Sequence, residues 1–114
     1  MRKLLIIAAS ILFFASCTTQ KPLYTWAKYG DASYNYLKNG DEKATQELIA
    51  TYTTIIEQQK GSRAVVPPGV YADYGFVLLQ ANRTEEGRAM LSQEIALYPE
   101  SKIFVERILK MTEE

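Results

Sequence analysis

The sequence predicts an all-α fold made of helical hairpins, and three observations support this prediction. Apolar residues recur at helical spacing, most clearly on a face formed by Leu48, Tyr52, Ile55 and Ile56. Asn39-Gly40 separates two such segments and is a strong helix terminator. Gly75 and Gly87 stand in consecutive segments, where crossing helices need small residues to approach closely. We therefore expect two hairpins followed by a final helix.

Composition limits the chain to one small core and excludes several kinds of site. The chain has 114 residues, 47% of them hydrophobic. The chain has 13 basic and 13 acidic residues. If the amino-terminal segment with Arg2 and Lys3 is removed, 11 basic residues remain against the 13 acidic ones, and no basic run exceeds a pair. This argues against nucleic-acid binding. Histidine is absent and cysteine is single, which excludes a Cys/His zinc site, a histidine-dependent nucleophile and an internal disulfide.

The amino terminus has the pattern of a secretory signal peptide over residues 1–16. A basic start, Met1-Arg2-Lys3, precedes an almost wholly apolar run over residues 4–15, and small residues lead to Cys17. The run is shorter than the roughly 20 residues that a membrane-spanning helix needs. A plain cleaved signal with an incidental cysteine is the alternative, but a lone thiol is a liability in an oxidising compartment.

Phe14-Ala15-Ser16-Cys17 resembles the lipobox of bacterial lipoproteins. The resemblance implies cleavage after Ser16, a diacylglycerol on the Cys17 thiol and an acylated new amino terminus. No cofactor is expected besides this covalent lipid. An aspartate directly after the cysteine would imply retention in the inner membrane of a Gram-negative host. The residue at this position is Thr18, which implies sorting to the outer membrane, facing the periplasm. Residues 17–23 then form a tether with few contacts, and residues 24–114 form the folded domain.

Five helices are expected after the tether, at about 26–38, 41–61, 70–81, 85–98 and from 101 onwards. Asp41 and Thr84 are the predicted N-caps of the second and fourth helices, and Gly61 is the predicted end of the second. Pro99 ends the fourth helix and Ser101 caps the fifth. The fifth helix should cover the last exposed apolar face through a stripe of Phe104, Ile108 and Met111.

Residues 71–99 carry a spaced signature of Tyr71, Tyr74, Gly75, Leu78, Gly87, Leu91 and Pro99. This signature resembles a tetratricopeptide (TPR) repeat, with Tyr74 where leucine is usual. A weaker copy begins with Trp26, Tyr29 and Gly30, but its next small residue, Ala44, comes two positions later. The resemblance implies TPR-like hairpins: two degenerate repeats plus a C-terminal capping helix. An ordinary helical hairpin with small residues at its crossing is the alternative.

An insertion over residues 58–69 separates the two hairpins, and its paired prolines favour an extended path. One interpretation is a rigid entry into the third helix, with Val65 and Val66 against the core. The other is an apolar edge that meets a partner, formed by Val65, Val66, Pro67 and Pro68.

Eight tyrosines are many for so small a chain, and most fall on or just before first helices. First helices line the peptide-binding groove of TPR folds, and tyrosine suits binding surfaces. Tyr71 and Tyr74 occupy seam positions of the repeat signature. Tyr34 and Tyr36 are therefore the better candidates for contact with a partner.

From Tyr24 to Met111 the chain resembles a family of small bacterial lipoproteins of uncharacterised function. The segments that carry this resemblance include Tyr29-Gly30-Asp31, Val66-Pro67-Pro68-Gly69 and Tyr71-Ala72-Asp73-Tyr74-Gly75. Members are typically encoded beside two other lipoproteins, one of them related to the curli-secretion channel. The resemblance implies a cell-envelope assembly and transfers no catalytic residue.

Three functions remain open from the sequence. The first is a lipid-anchored adaptor that binds an envelope protein, such as a curli-secretion-channel-like lipoprotein, and aids its localisation or assembly. The second is a structural lipoprotein that self-associates or binds peptidoglycan. The third and most remote is a glycan hydrolase using Asp73 and Glu94 as paired carboxylates. Because no second catalytic motif and no metal site accompanies that pair, we expect no enzymatic activity.

Overall fold

The computed structural model describes residues 1–15 and 20–113, and the regular structure of these residues is wholly helical. The predicted lipidation site, Cys17, lies outside the described residues. The helices are α1 (Arg2–Ala15), α2 (Tyr29–Asn39), α3 (Glu42–Glu57), α4 (Val70–Gln80), α5 (Thr84–Leu97) and α6 (Lys102–Glu113), with a 3₁₀ turn at Pro99–Ser101 before α6. The all-α prediction is confirmed for this part of the chain.

Helix α1 is short and apolar, and its side chains Leu4, Leu5 and Ile7 are exposed. Within residues 1–15 and 20–113, no helix has both the length and the apolar character needed to cross a bilayer.

The turn between α2 and α3 follows the sequence prediction. Gly40 has a left-handed backbone (φ +60°), and its N–H donates to the carbonyl oxygen of Tyr36, which closes α2. Asp41 then caps α3, because its carboxylate accepts a 2.8 Å hydrogen bond from the N–H of Ala44. The two helices therefore fold back on each other as an antiparallel hairpin.

Helix α3 packs the predicted apolar face into the core. Leu48, Tyr52 and Ile55 are at most 2% exposed, and Ile56 is half-buried beside them. Three threonines in the centre of the helix donate hydroxyl hydrogen bonds of 2.8–3.0 Å to carbonyl oxygens one turn earlier. These residues are Thr51, Thr53 and Thr54. These bonds satisfy the hydroxyls but do not favour the helix, so its stability depends on the buried face.

Helices α4 and α5 cross closely at their glycines, as the sequence predicts. A Cβ on Gly75 would lie 2.8 Å from the Leu91 Cγ atom, and a Cβ on Gly87 would lie 2.9 Å from the Leu79 Cγ atom. The close crossing does not recur in the first hairpin, because a Cβ on Gly30 would meet no heavy atom within 4 Å.

The core has two parts that meet at α4. The first joins α2, α3 and α4 through residues that include Leu48, Tyr52, Ile55 and Leu78. The second joins α4, α5 and α6 through Ala72, Leu91, Val105 and Ile108. The prediction for α6 is wrong at two of three positions: Phe104 and Met111 are 55% and 67% exposed. The residues of α6 that pack into the core are Val105 and Ile108.

Several predicted helix ends also need correction. Helix α2 begins at Tyr29 instead of Trp26, because Ala27 adopts a left-handed backbone (φ +48°). Helix α3 ends at Glu57, four residues before Gly61. Thr84 is the first residue of α5 and its hydroxyl does not cap that helix. Ser101 donates its hydroxyl to Glu94 and does not cap α6.

Candidate binding groove

A groove of about 220 Å³ lies between α2 and α4, with α3 beneath it. Helix α2 contributes one wall, α4 the other, and Leu48 and Tyr52 of α3 form the floor. The lining is mostly aromatic and aliphatic, and it includes Tyr29, Ser33, Tyr36, Leu37, Asp73, Phe76 and Val77. Leu37 is 81% exposed at the rim, so the groove is open to solvent.

A row of aromatic rings runs into the groove from the amino-terminal side. It passes from Tyr24 to Trp26, Tyr29, Tyr52 and Tyr74, with successive ring centroids 6.4, 5.7, 5.9 and 5.3 Å apart. Such spacings are those of attractive aromatic pairs. Tyr29 and Tyr52 each contact two neighbouring rings, and this packing restricts their side chains before a ligand arrives, which lowers the entropy cost of binding.

Asp73 is the charged group of the groove. The Tyr29 hydroxyl donates to its Oδ2 atom at 3.3 Å, and Asp73 remains accessible to solvent. Partial desolvation raises the pKa of the Asp73 carboxyl above 3.8, the Tyr29 hydrogen bond lowers it by less, and the charge of Glu94 raises it further. Burial, followed by the charge of Asp73, raises the pKa of both the Tyr29 and the Tyr52 hydroxyls. The groove therefore presents a carboxylate and neutral phenols to an incoming group.

The structure separates the two tyrosines that the sequence pairs as partner-binding candidates. Tyr36 lines the groove. Tyr34, two residues earlier, is 62% exposed, and the Lys38 Nζ atom lies 5.8 Å from its ring centre. Because residues two apart point in different directions on a helix, Tyr34 is outside the groove lining.

The insertion enters α4 mostly as buried chain. Val66 is 7% exposed and Pro67 is fully buried, whereas Val65 and Pro68 lie on the surface. The hydroxyl of Tyr98 donates a 2.6 Å hydrogen bond to the carbonyl oxygen of Val66, which holds this segment against the end of α5. A continuous apolar edge over residues 65–68 is therefore absent, and Val66 and Pro67 have no free surface for a partner.

Gln59 fastens the amino-terminal segment to the insertion, a contact that no local sequence pattern predicts. Its side chain accepts from the N–H of Thr25 and donates to the carbonyl oxygen of Thr25 at 3.0 Å. Gly61 is buried beside this contact, and a side chain there would meet the backbone of Leu23 and Tyr24. At the end of the predicted tether, the carbonyl oxygens of Pro22 and Leu23 accept hydrogen bonds from the insertion.

Glu94 is a structural residue and lies outside the groove. It is 1% exposed, and its Oε1 atom accepts from the Gly69 N–H at 2.9 Å and from the Ser101 hydroxyl at 3.1 Å. Its Oε2 atom has no hydrogen-bond partner among the described residues. A substrate cannot reach this carboxylate, so Asp73 and Glu94 do not form the exposed pair that glycan hydrolysis requires.

Among the other residues of the repeat signature, Trp26, Gly30 and Pro99 are exposed, and those of α4 and α5 lie in the core or its seam. Leu78 and Leu91 are completely buried. Tyr71 and Tyr74 line a second depression, of about 360 Å³, together with Thr53, Ile56, Glu57, Met90 and Gln93. Within the described residues, no three acidic, cysteine or histidine side chains come close enough to hold a metal ion.

The fold and the groove define the class of this protein: a small all-α domain of helical hairpins with an aromatic groove that contains one carboxylate. Residues 23–108 match the model of a family described as a domain of unknown function (DUF4810), and the chain belongs to that family. Neither the curated proteins nor the solved structures include a match to the chain.

Proposed function

We propose that this protein is a lipid-anchored, TPR-like adaptor of the bacterial cell envelope. In this proposal the groove between α2 and α4 binds an extended segment of another envelope protein and aids its localisation or assembly. The observation that carries the proposal is the position of the groove: it lies between the two helices that would be the first helices of successive TPR-like repeats.

The lining of the groove favours a peptide with apolar side chains and a positively charged group. Tyr36, Leu37 and Phe76 offer apolar contact area, while Asp73 offers a hydrogen-bond acceptor and a negative charge. The packed aromatic row adds contact area from side chains that neighbouring rings already restrict. A lysine, an arginine or a free amino terminus beside Asp73 would suit this chemistry.

The anchor is proposed from the sequence of residues 1–17. Residues 1–16 act as a lipoprotein signal peptide, and Cys17 carries the acyl chains that hold the protein on the periplasmic side of the outer membrane. The resemblance to lipoproteins encoded beside a curli-secretion-channel-like protein makes that neighbour the first partner to test.

Site-specific photo-crosslinking in the native envelope tests the adaptor function. A photoreactive residue at Tyr36 should capture one defined envelope protein, whereas the same residue at Tyr34 should not. Tyr34 is a matched control because it lies on the same helix, two residues away and outside the groove. Equal capture from both positions, or none from Tyr36, would contradict the proposal.

A structural role through self-association is the second candidate, and α6 favours it. Ile103, Phe104 and Met111 are 68%, 55% and 67% exposed on this terminal helix. Exposed apolar side chains on an end helix suit contact with a second copy. Crosslinked ladders of the protein alone that disappear in Phe104→Glu would favour this role. Retention of the protein on purified peptidoglycan would instead favour a peptidoglycan-associated lipoprotein.

A further inference from the structure

Basic residues are concentrated in the two segments that surround the point where the tether enters the fold. Residues 20–28 and 58–65, which we name the anchor face, contain Lys21, Lys28, Lys60 and Arg63 and no acidic residue. The rest of the chain after Cys17 has seven basic and thirteen acidic residues. Along the sequence, positive charge is therefore concentrated in these two segments.

Backbone hydrogen bonds hold the two segments of the anchor face together. The N–H groups of Ser62 and Arg63 donate to the carbonyl oxygens of Pro22 and Leu23, at 2.9 and 3.2 Å. The N–H of Lys60 donates to the Thr25 hydroxyl at 3.0 Å. Since Lys60 and Arg63 make these bonds through their backbones, their charged side chains can be changed without removing them.

Apolar side chains stand on the surface within the same two segments. Leu23, Trp26 and Val65 are 55%, 43% and 42% exposed. Tryptophan favours the boundary between water and hydrocarbon, and lysine and arginine near it attract anionic headgroups. The anchor face combines these properties, as surfaces that rest on a membrane do.

We propose that the anchor face docks on the surface of a bilayer that contains anionic phospholipids. This inference rests on the proposed acylation of Cys17. Pro22 follows Cys17 by only five positions, so the intervening chain spans at most about 18 Å even when fully extended. The acyl chains therefore keep the anchor face next to the headgroups, where weak contacts act at high effective concentration.

Docking would also fix the orientation of the groove. The Trp26 ring on the anchor face lies 5.7 Å from the ring of Tyr29, which lines the groove. A docked Trp26 would therefore hold one end of the groove at a set height above the membrane. A partner anchored in the same membrane would meet the groove at that height.

The only tryptophan of the chain is Trp26, so its fluorescence reports on this face alone. The mature protein, purified from membranes, is reconstituted into vesicles of phosphatidylcholine or of phosphatidylcholine with phosphatidylglycerol. Both contain brominated phosphatidylcholine, which quenches tryptophan at the lipid surface. Mass spectrometry and vesicle flotation report the acyl anchor separately from docking.

We expect a blue-shifted and quenched Trp26 emission in the anionic vesicles, and weaker quenching in the neutral ones. Each basic residue near an anionic surface raises binding roughly fivefold, so Lys60→Glu with Arg63→Glu should lower the docked-to-undocked ratio by roughly twentyfold or more. The control is Arg107→Glu with Lys110→Glu, the same charge change on exposed positions of α6, which should keep the quenching.

The possible failures are distinguishable. A protein that carries no acyl chain and does not float overturns the anchor and, with it, the docking. An acylated protein that floats but shows equal quenching in both vesicles, or in both double variants, overturns the docking alone.

Discussion

A Cβ atom on Gly75 would lie 2.8 Å from the carbonyl oxygen of Gly87, and a Cβ on Gly87 would lie 2.8 Å from the carbonyl oxygen of Gly75. The contact is reciprocal and involves backbone atoms, which cannot rotate away as a side chain can. The α4–α5 hairpin therefore depends on the absence of side chains at both positions. Since α4 also joins the two parts of the core, this crossing affects the whole domain.

Gly75→Ala should destabilise the domain because the added methyl group must separate α4 from α5. Overpacking of this kind costs about 1–3 kcal/mol. Gly30→Ala is the matched control, since Gly30 is also helical but has no atom within 4 Å of an added Cβ. That change should not lower stability, because alanine has the higher helix propensity and Gly30 lies in the first turn of α2. Urea unfolding measures both, and equal effects would disprove the close crossing.

Gln59→Ala should loosen the amino-terminal segment while leaving the helices folded. The variant removes the side-chain bonds to the N–H and carbonyl groups of Thr25. Amide hydrogen exchange at Thr25, Ser62 and Arg63 should accelerate roughly tenfold or more, equivalent to about 1.4 kcal/mol of local stability. Gln58→Ala, at the exposed neighbouring position, is the control and should leave these rates near wild type. Unchanged exchange in both variants would show that Gln59 does not fasten the segment.

The sequence predicts elements whose signals are local. Gly40 and Asp41 determine the turn between α2 and α3 through their own backbone and side chain, so their neighbours suffice to identify it. The buried face of α3 is similarly visible, because Leu48, Tyr52 and Ile55 recur at helical spacing against polar neighbours. The glycine crossing is visible because both glycines belong to one spaced signature.

Features that depend on distant residues could not be predicted in this way. Helix α6 is apolar on several sides, so periodicity alone could not choose Val105 over Phe104 as the residue facing α5. The segment before α2 is held by Gln59, which is thirty-four residues from Thr25 in the chain. The sequence presents Asp73 only as a candidate catalytic carboxylate, because its hydrogen bond with Tyr29 joins two separate helices.

Glu94→Ala should destabilise the domain strongly, because the Gly69 N–H and the Ser101 hydroxyl would both lose their acceptor. Leaving a buried donor unpaired costs about 1–3 kcal/mol, and these two donors are partly buried, so the total loss should be about 3 kcal/mol. Glu94→Gln keeps an oxygen acceptor and should lie closer to wild type in urea unfolding. If Gln were as damaging as Ala, the negative charge at the start of α4, and not the hydrogen bonding, would be the stabilising feature.

Asp73→Asn should alter the pH dependence of stability in a defined direction. In the folded protein the pKa of Asp73 is raised above its ordinary value of 3.8. In the pH window between the ordinary and the raised pKa, the folded state therefore binds more protons than the unfolded chain. The stability that Asp73 contributes therefore falls as pH rises through this window. Asparagine does not ionise, and its oxygen can still accept the hydrogen bond from Tyr29. The difference in unfolding free energy, variant minus wild type, should rise across the window and level off above it.

Because Asp73 remains accessible to solvent, screening should keep the total change below about 1 kcal/mol. Urea unfolding at a series of pH values measures this difference, in which the titration of the other carboxylates cancels. A difference that falls with rising pH would mean that the groove stabilises the Asp73 carboxylate, the opposite of what its surroundings indicate.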